Sequence, residues 1–413
     1  MMKPFFKRNT CRLCHDNDLE HVLAFPATPV GDEYVGAERV DDIQNIYPLD
    51  LYFCNSCGLL QLLDVVAPEI IYGEYMYQTS ISLGLPEHFQ KNADEMLHRI
   101  NPPPGALVVD IGSNDGTFLR AIQNRGMRVL GIEPAREMAQ KVTDSGIETL
   151  ATFFSSELAR QIKKDYGESA IITANNVMAN IDDLADFAEG IRELLAPDGV
   201  FLFETGYVVD LIQNSVIDNI YHEHLCYFRV KPLVNLFNNH GLEVIEVEHI
   251  STKGGSLRGT IQMANGPRTV SSSVSEQIAL ETRLGYDNAE IYQGFASRMD
   301  MVKKELLARL HDLKTQGKTI AGYGASVGVT TLLYYYELGD ILTYLFDDNP
   351  SKHHLFSPGH HIPVLPSHEI HDKKPDYIVV LAWRYATPIM QKHQQYQEQD
   401  GHFILPLPEV KVI

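Results

Sequence analysis

A strand that runs directly into a glycine loop does most to constrain the fold of this chain. In "ALVVDIGSNDGTFLRAIQ" an apolar strand ends at Asp110, Gly112 and Gly116 follow, and a segment with helical spacing comes next. Glycines at these positions let the backbone approach a ligand closely. The spacing, D-x-G-x-x-x-G, is not the G-x-G-x-x-G of dinucleotide-binding loops. Strands and helices alternate downstream, so we predict an α/β domain whose ligand lies at the carboxyl ends of the strands.

Acidic side chains around this loop indicate the kind of ligand. Asp110 closes the strand and Asp115 lies inside the loop. Two carboxylates repel a pyrophosphate but suit a cation, such as the ammonium group of S-adenosylmethionine. Glu133 ends the next strand, about 20 residues further on, where an acid meets ribose hydroxyls in doubly wound sheets. A nicotinamide cofactor, and a loop that only turns the chain, are the alternatives. The predicted cofactor contacts are Asp110, Gly112, Asn114, Gly116, Glu133 and Asn176.

The cysteines predict a metal site near the start of the chain. Four of the five lie in two C-x-x-C pairs, "CRLC" and "CNSC", and are Cys11, Cys14, Cys54 and Cys57. Two such pairs complete a tetrahedral zinc site in a small zinc-ribbon-like module. A closed set of four thiolates leaves no open position, so the zinc is expected to be structural. Four unrelated buried thiols, or His15 in place of one thiol, are the alternatives.

Length and charge limit the class of protein. The 413 residues suggest two or three domains, and the formal net charge of −20 argues against a nucleic-acid partner. A small anionic ligand is still compatible with that charge, because local donors can hold it. The sequence has no apolar run of about 18 residues, so we expect no membrane partner. Its first residues do not form a signal peptide, and we expect a cytoplasmic protein.

The segment "YHEHLCYF", residues 221–228, gathers an unusual number of proton-handling groups. It follows the fifth strand of the predicted domain and is therefore expected near the carboxyl edge of the sheet. A metal site, a catalytic base with its partners, and polar packing are all compatible with this composition. We expect Tyr227, Phe228 and Cys226 to be buried packing residues.

Several motifs, in this order, together resemble one known family. They are "CRLC…CNSC", "YGEYMYQTSIS", "VVDIGSNDGTFL", "NNVMANIDDL", "YHEHLCYF", "KGGSLRGTI", "GYGAS" and "DDNPSKHHLFSPGHHIPV". The chain resembles the S-adenosylmethionine-dependent sugar 3-C-methyltransferases that act on nucleotide-linked 4-keto-6-deoxyhexoses. The resemblance implies a zinc-binding module at 1–75, a central Rossmann-like methyltransferase domain at 76–250, and a second Rossmann-like α/β domain at 251–413.

The resemblance also implies roles for individual residues. It makes His224 the base that removes a proton next to the ketone, with Tyr221 and Glu223 as partners and Tyr75 as a further site residue. Tyr77 is implied to contact the substrate. Because Tyr221 and His224 must then converge, we expect a turn or a helix start there rather than a regular strand.

The C-terminal half is predicted to help bind the substrate. "GYGAS" is only part of a dinucleotide fingerprint, and the resemblance favours a scaffold for the nucleotide of the sugar substrate. Lys253 and Arg258 are candidate phosphate contacts, with ordinary surface charges as the alternative. A long helix is expected at about 287–317. We expect a monomer or a weak homo-oligomer.

Three positions depart from the family pattern. Asn180 stands where the family commonly has histidine, the family's lysine near Gly328 is missing, and Arg384 follows tryptophan where asparagine is frequent. Three other functions stay open: a nicotinamide-dependent sugar-nucleotide oxidoreductase, a non-catalytic zinc- and S-adenosylmethionine-binding protein, and a methyltransferase acting on oxygen or on another keto substrate.

Overall fold

The N-terminal part of the chain is a small β-rich module. The computed structural model describes residues 4–72, 78–81 and 84–413. The elements of the module are β1 Phe5–Lys7, β2 Leu19–Leu23, β3 Leu51–Cys54, β4 Leu60–Leu62, β5 Asp64–Val66 and α1 Pro68–Tyr72. β2, β3 and β4 form an antiparallel sheet, and β1 pairs with β5. β3 leads into the second cysteine pair, and β4 follows it.

The central part of the chain alternates strands and helices. Its elements are α2 Leu85–Ile100, β6 Leu107–Ile111, α3 Thr117–Gln123, β7 Arg128–Ile132, α4 Arg136–Asp144, β8 Thr149–Leu150, α5 Ser156–Tyr166, β9 Ser169–Asn175, α6 Leu184–Leu194, β10 Leu195–Gly206, α7 Val208–Gln213, β11 Cys226–Tyr227, α8 Val230–Asn239, β12 Leu242–Ile250 and β13 Ser256–Met263. The sheet order is β12-β13-β10-β9-β6-β7-β8. β10, β9, β6, β7 and β8 run parallel, whereas β12 and β13 are antiparallel.

The middle strands of this sheet are apolar because helices cover both faces. Every residue of β6 is buried. On one face Phe89 of α2 packs on Phe118 of α3, with ring centroids 5.2 Å apart. On the other face Phe187 of α6 packs edge-to-face on Phe201 of β10. Parallel strands buried on both faces are typical of doubly wound α/β domains, and this arrangement brings the strand ends to one edge.

The C-terminal part forms a second α/β unit. Its elements are α9 Ser272–Arg283, α10 Glu290–Thr315, β14 Ile320–Tyr323, α11 Val327–Tyr335, β15 Leu345–Asp347, β16 Val364–Pro366, α12 Ile370–Lys373, β17 Tyr377–Val380, α13 Ala386–Lys392, α14 Gln394–Glu398, β18 His402–Leu405 and β19 Lys411–Val412. The sheet order is β16-β15-β14-β17-β18-β19. α10 matches the long helix expected from the sequence. No described helix combines the length and the apolar character needed to cross a bilayer.

Two pairings link parts of the chain that the sequence divides. β11, inside the segment 221–228, pairs antiparallel with β4 and so extends the sheet of the N-terminal module. β13 pairs with β10 in the central sheet. β10 lies before the expected domain boundary at 250/251 and β13 lies after it, so that boundary divides one sheet. The three-part α/β fold class is confirmed, but its parts share strands.

Candidate active site

One large cavity lies where the three parts of the chain meet. Its volume is about 1130 Å³. It opens along the carboxyl ends of the central strands, where ligands of doubly wound sheets bind. The residues that line it include Pro68 and Tyr72 of the module, Asp110, Gly112, Glu133, Asn176, Tyr221 and His224 of the central part, and Ser326, Asp347 and Tyr385 of the C-terminal part.

The glycine loop between β6 and α3 forms a close-fitting backbone cradle at one end of the cavity. Gly112 has φ +69°, and a Cβ added there would lie 2.3 Å from Cγ2 of Val177. The backbone amides of Asn114 and Ala135 each donate to the Glu133 carboxylate at 2.9 Å. The loop is therefore locked to the end of β7, and burial raises the pKa of Glu133. Such a cradle suits a ligand that lies directly against backbone.

Asp110 brings a buried carboxyl to the same end of the cavity. It is 3% exposed and accepts a hydrogen bond of 2.6 Å from the Thr173 hydroxyl. Burial raises the pKa of Asp110 to about 7, against the effect of Thr173, and the charge of Glu133 raises it further. A cationic ligand beside Asp110 would favour the ionised form.

Asp115 has a different role from the one expected. Its carboxylate accepts hydrogen bonds from the Ser80 amide at 2.7 Å and from the Thr117 hydroxyl at 2.6 Å. It therefore caps the start of α3 and ties residues 79–81 to the loop, outside the lining of the cavity. The structure therefore places the Asp115 carboxylate at the start of α3, whereas the Asp110 carboxyl lies in the lining of the cavity.

Unpartnered polar atoms in the cavity wall fit a polar ligand. Ser113 Oγ, Asn175 Nδ2 and Thr205 Oγ1 are buried and, among the described residues, have no hydrogen-bond partner. All three residues line the cavity. Because buried polar atoms are normally paired, these atoms, with the glycine cradle and Asp110, fit the amino-acid and ribose groups of S-adenosylmethionine.

The segment 221–228 begins with a turn that brings two reactive side chains together. The His224 amide donates to the Tyr221 carbonyl at 2.9 Å, and the Tyr221 hydroxyl lies 2.9 Å from His224 Nε2. The predicted turn is therefore confirmed. His224 Nδ1 lies 2.9 Å from the Asn219 carbonyl oxygen. A carbonyl only accepts, so in the neutral ring Nδ1 carries the hydrogen and Nε2 is the acceptor for Tyr221.

The surroundings keep His224 neutral. Burial lowers the pKa of His224 to about 4, and the positive charge of Lys253 lowers it further, against the hydrogen bond to Asn219. At neutral pH the ring therefore has an unprotonated Nε2 facing Tyr221. An imidazole in this state is able to take up a proton from a neighbouring group.

The other members of the segment divide between packing and the cavity. His222 is buried, its Nε2 lies 3.2 Å from the Tyr47 carbonyl, and burial lowers its pKa to about 4. Glu223 lines the cavity. The two ring nitrogens of His224 lie beside the Tyr221 hydroxyl and the Asn219 carbonyl, as described above. Tyr227 and Phe228 are buried, as expected.

The four cysteines converge in the N-terminal module. Their Sγ atoms all lie within 4.8 Å of one another, with 3.5 Å between Cys11 and Cys57 and between Cys14 and Cys54. Zinc–sulfur bonds of about 2.3 Å in a tetrahedron give sulfur–sulfur distances of about 3.8 Å. The donor set and spacing fit zinc, and the cluster does not include His15. Gln61 Nε2 donates to Cys11 Sγ at 3.1 Å.

Comparisons with known proteins agree with this architecture. Family models match a zinc binding domain at residues 11–72, a methyltransferase domain at 85–247 and a C-methyltransferase C-terminal domain at 251–408. The chain is 33% identical to the C-methyltransferase NovU of Streptomyces niveus, over 98% of its own length and 96% of the relative's. This chain belongs to the C-methyltransferase family. The resemblance found in its motifs is confirmed.

Solved structures resemble a part of this C-methyltransferase. An S-adenosylmethionine-dependent methyltransferase from Clostridium acetobutylicum is 12% identical, with 48% of this chain and 95% of that chain covered and a TM-score of 0.35. Magnesium protoporphyrin IX methyltransferase from Synechocystis, with bound S-adenosylhomocysteine, is 15% identical, covers 47% of this chain and 91% of its own, and also has a TM-score of 0.35.

The C-methyltransferase is an S-adenosylmethionine-dependent enzyme with structural zinc. When bound, S-adenosylmethionine supplies an electrophilic methyl group. The cavity brings together the predicted cofactor residues Asp110, Gly112, Asn114, Glu133 and Asn176. Gly116 lies behind them at the start of α3, with φ +74° and Val142 Cγ1 2.8 Å from where its Cβ would be.

Of the two expected phosphate contacts, Lys253 and Arg258, the structure places only the first in the cavity wall. Lys253 lines the cavity, in a left-handed backbone conformation with φ 52°. Arg258 does not: its guanidinium is buried against Glu204, with Nε 2.9 Å from Oε1, and also reaches Glu248 at 3.2 Å. Its position in β13 makes it the counter-ion of a buried carboxylate. Tyr75 and Tyr77 lie outside the described residues.

The C-terminal wall of the cavity belongs to the half of the chain that was expected to help bind the substrate, and it includes a carboxylate at the end of a strand. Asp347 ends β15 and accepts hydrogen bonds from the amides of Ala325 at 2.6 Å and Asn349 at 2.7 Å. Asp348, Lys392 and Tyr385 line the same wall. The sequence signal is "FDDNP", in which one acid ends the strand and a second follows it directly.

Proposed function

We propose that this C-methyltransferase adds a methyl group to carbon 3 of a nucleotide-linked 4-keto-6-deoxyhexose. The observation that carries the proposal is the hydrogen-bonded pair of Tyr221 and His224 in the same cavity as the glycine loop. A carbon next to a ketone becomes nucleophilic only after losing a proton, so C-methylation there needs a base. A neutral, buried imidazole provides one.

His224 Nε2 is the proposed proton acceptor. Asn219 holds the ring with Nδ1 protonated, which leaves the lone pair of Nε2 directed at Tyr221. For Nε2 to reach the sugar proton, the Tyr221 hydroxyl turns its hydrogen from His224 to the ketone oxygen. The same movement supplies a donor to the negative charge that develops on that oxygen. Glu223, Tyr75 and Tyr77 are proposed to surround the sugar.

Lys253 supports the anionic parts of the substrate. Lys253 lines the same cavity as His224, and its positive charge lowers the pKa of that histidine. We assign it to the phosphate nearest the sugar. The C-terminal wall, with Ser326, Asp347 and Tyr385, then takes the nucleoside.

The size of the cavity agrees with two ligands. A volume of about 1130 Å³ exceeds the roughly 300–1,000 Å³ of pockets that hold one drug-sized molecule. With the cofactor in the glycine cradle, the space between His224 and the C-terminal wall is left for the nucleotide sugar.

A four-thiolate zinc site needs reduced cysteines, so we propose that the enzyme works in the cytoplasm.

Product analysis tests the proposal. The protein is incubated with ¹³C-methyl S-adenosylmethionine and pyrimidine nucleotide-linked 4-keto-6-deoxyhexoses, and the product is examined by NMR. We expect the label as a methyl group bonded to carbon 3. A label on oxygen or nitrogen, or on another carbon, would contradict the proposal, and a sugar-free control reports background hydrolysis of the cofactor.

A further inference from the structure

The turn that holds His224 is supported from the C-terminal part of the chain. Residues Ile217–Asn219 form a short 3-10 turn, and the Asn219 carbonyl at its end accepts the His224 Nδ1 hydrogen. The first turn of α11 packs directly on it: a Cβ added to Gly328 would lie 2.3 Å from the Asp218 carbonyl oxygen. The Thr331 hydroxyl donates to the Ile220 carbonyl at 2.7 Å.

An ion pair joins the same turn to a second C-terminal element. Arg384 Nη2 lies 3.1 Å from Asp218 Oδ2, and the Asp218 side chain is 8% exposed. Burial raises the pKa of Asp218, and the Arg384 guanidinium and the Trp383 indole oppose this shift. Neither Asp218 nor Arg384 lines the cavity, so neither touches a ligand placed there.

Arg384 also packs against the loop that carries Lys253. A Cβ added to Gly254 would lie 3.3 Å from Cδ and Nη1 of Arg384. One guanidinium therefore contacts the turn before His224 and the loop beside Lys253. Since Gly254 has φ +90°, this loop has little freedom to accommodate a larger residue.

We propose that the Arg384–Asp218 ion pair is a positioning device for His224. The ion pair fixes the turn at 217–220 and so keeps the Asn219 carbonyl hydrogen-bonded to Nδ1 of His224. Because Nδ1 then carries the hydrogen, Nε2 stays unprotonated in the neutral ring. The C-terminal part then contributes to proton transfer without touching the sugar. The inference rests on the proposed function only for its catalytic consequence, because the ring tautomer is a property of the protein alone.

Separate measurements test the effect of the ion pair on the tautomer of His224 and on the rate of methyl transfer. Long-range ¹H–¹⁵N correlation spectra of protein with ¹⁵N-labelled histidine report which ring nitrogen of His224 carries hydrogen, and the His224→Asn spectrum assigns its signals. We expect the Nδ1–H form in the unaltered protein and a mixture in Arg384→Gln and Asp218→Asn. The kcat of both variants should fall about tenfold, which is less than the loss expected when a general base is removed altogether. Their KM for S-adenosylmethionine should stay within about twofold of the value for the unaltered protein. Arg384→Lys, which keeps the charge, should recover part of the loss.

Arg125→Gln is the matched control. Arg125 makes an ion pair with Asp94, at 2.5 Å, away from the cavity, so the same substitution should leave the His224 spectrum unchanged. If Arg384→Gln does not fold, Asp218→Asn alone removes the negative partner of the ion pair and should also mix the tautomers. An unchanged Nδ1–H signature in Arg384→Gln and Asp218→Asn, or in Asp218→Asn where it is the variant that folds, would overturn the inference. Because the spectra need no sugar, failure of the proposed function would show instead as an inactive unaltered protein with the expected tautomer.

Discussion

At the scale of single residues, the proposed reaction depends on the protonation of His224. Its ring has Asn219 on Nδ1 and Tyr221 on Nε2, and burial lowers its pKa to about 4. The ring is therefore neutral and oriented before any substrate binds, and the movement that proton transfer requires is that of the Tyr221 hydroxyl.

Replacement of His224 by asparagine should remove the base and keep the cofactor site. We expect kcat to fall by about 10²- to 10⁴-fold, the usual contribution of a general base, while the Kd for S-adenosylhomocysteine stays within about twofold by calorimetry. His240→Asn, at the end of α8 and outside the cavity lining, is the control. Wild-type turnover in His224→Asn would rule out the assignment.

Asp110 should make cofactor affinity depend on pH. Its pKa is raised to about 7 in the free protein, and a cationic ligand favours its ionised form. Affinity should therefore be full above pH 7 and should fall below it, by at most about tenfold per pH unit for one linked proton. Calorimetric titration with S-adenosylmethionine from pH 5.5 to 8.5 measures this. The Asp110→Asn variant should bind S-adenosylmethionine weakly, with an affinity that does not change with pH. An affinity that still changed with pH in that variant would show that another group is responsible.

At the scale of elements, the glycine loop is the feature that local sequence predicts best. β6, the loop and α3 follow from an apolar run, two glycines and helical spacing, all within one short stretch. The turn at 221–224 was predicted because Tyr221 and His224 converge only in such a conformation. The pairing of β11 with β4 was not predicted, because a two-residue strand carries no periodic signal and its partner is distant in sequence.

Gly112→Ala should separate steric fit from backbone strain. The new Cβ would lie 2.3 Å from Val177 Cγ2 in a residue with φ +69°, so we expect the affinity for S-adenosylhomocysteine to fall more than about tenfold. Gly126→Ala is the matched control, since Gly126 has φ +84° with nothing within 4 Å of its Cβ position. That variant should lose only about 1 kcal/mol of stability through backbone strain. Equal affinities in the two variants would show that the cradle is not the cofactor site.

At the scale of the whole molecule, the parts of the chain share one site. β11 continues the sheet of the zinc module, and the Leu62 amide donates to the Leu225 carbonyl at 3.0 Å. The backbone on either side of His224 is thus held by the module at Leu225 and by the C-terminal part at residues 217–220. The family motifs predicted the three parts, but not these connections. Arg258 shows why: from sequence it is a free cation beside glycines, and only the assembled sheet reveals its pairing with the buried Glu204.

Removal of zinc should therefore affect activity as well as stability. Thiolate zinc contributes directly to the folding free energy of small modules, and the module holds the segment after His224. Chelation should lower the melting temperature, increase amide exchange at residues 225–228 and decrease kcat. Metal analysis, hydrogen exchange and the methyl-transfer assay measure the three effects. A zinc-free protein with unchanged exchange at 225–228 would contradict the proposed link.

Exchange of the hydrogen on carbon 3 of the sugar reports directly on proton abstraction by His224. The protein, saturated with S-adenosylhomocysteine, is mixed in deuterium oxide with the nucleotide-linked 4-keto-6-deoxyhexose, and the signal of the hydrogen on carbon 3 is followed by NMR. Because methyl transfer is then impossible, only proton abstraction is observed. We expect rapid loss of that signal with the unaltered protein and only the enzyme-free rate with His224→Asn. Equal exchange by both proteins, or none by either, would contradict this expectation.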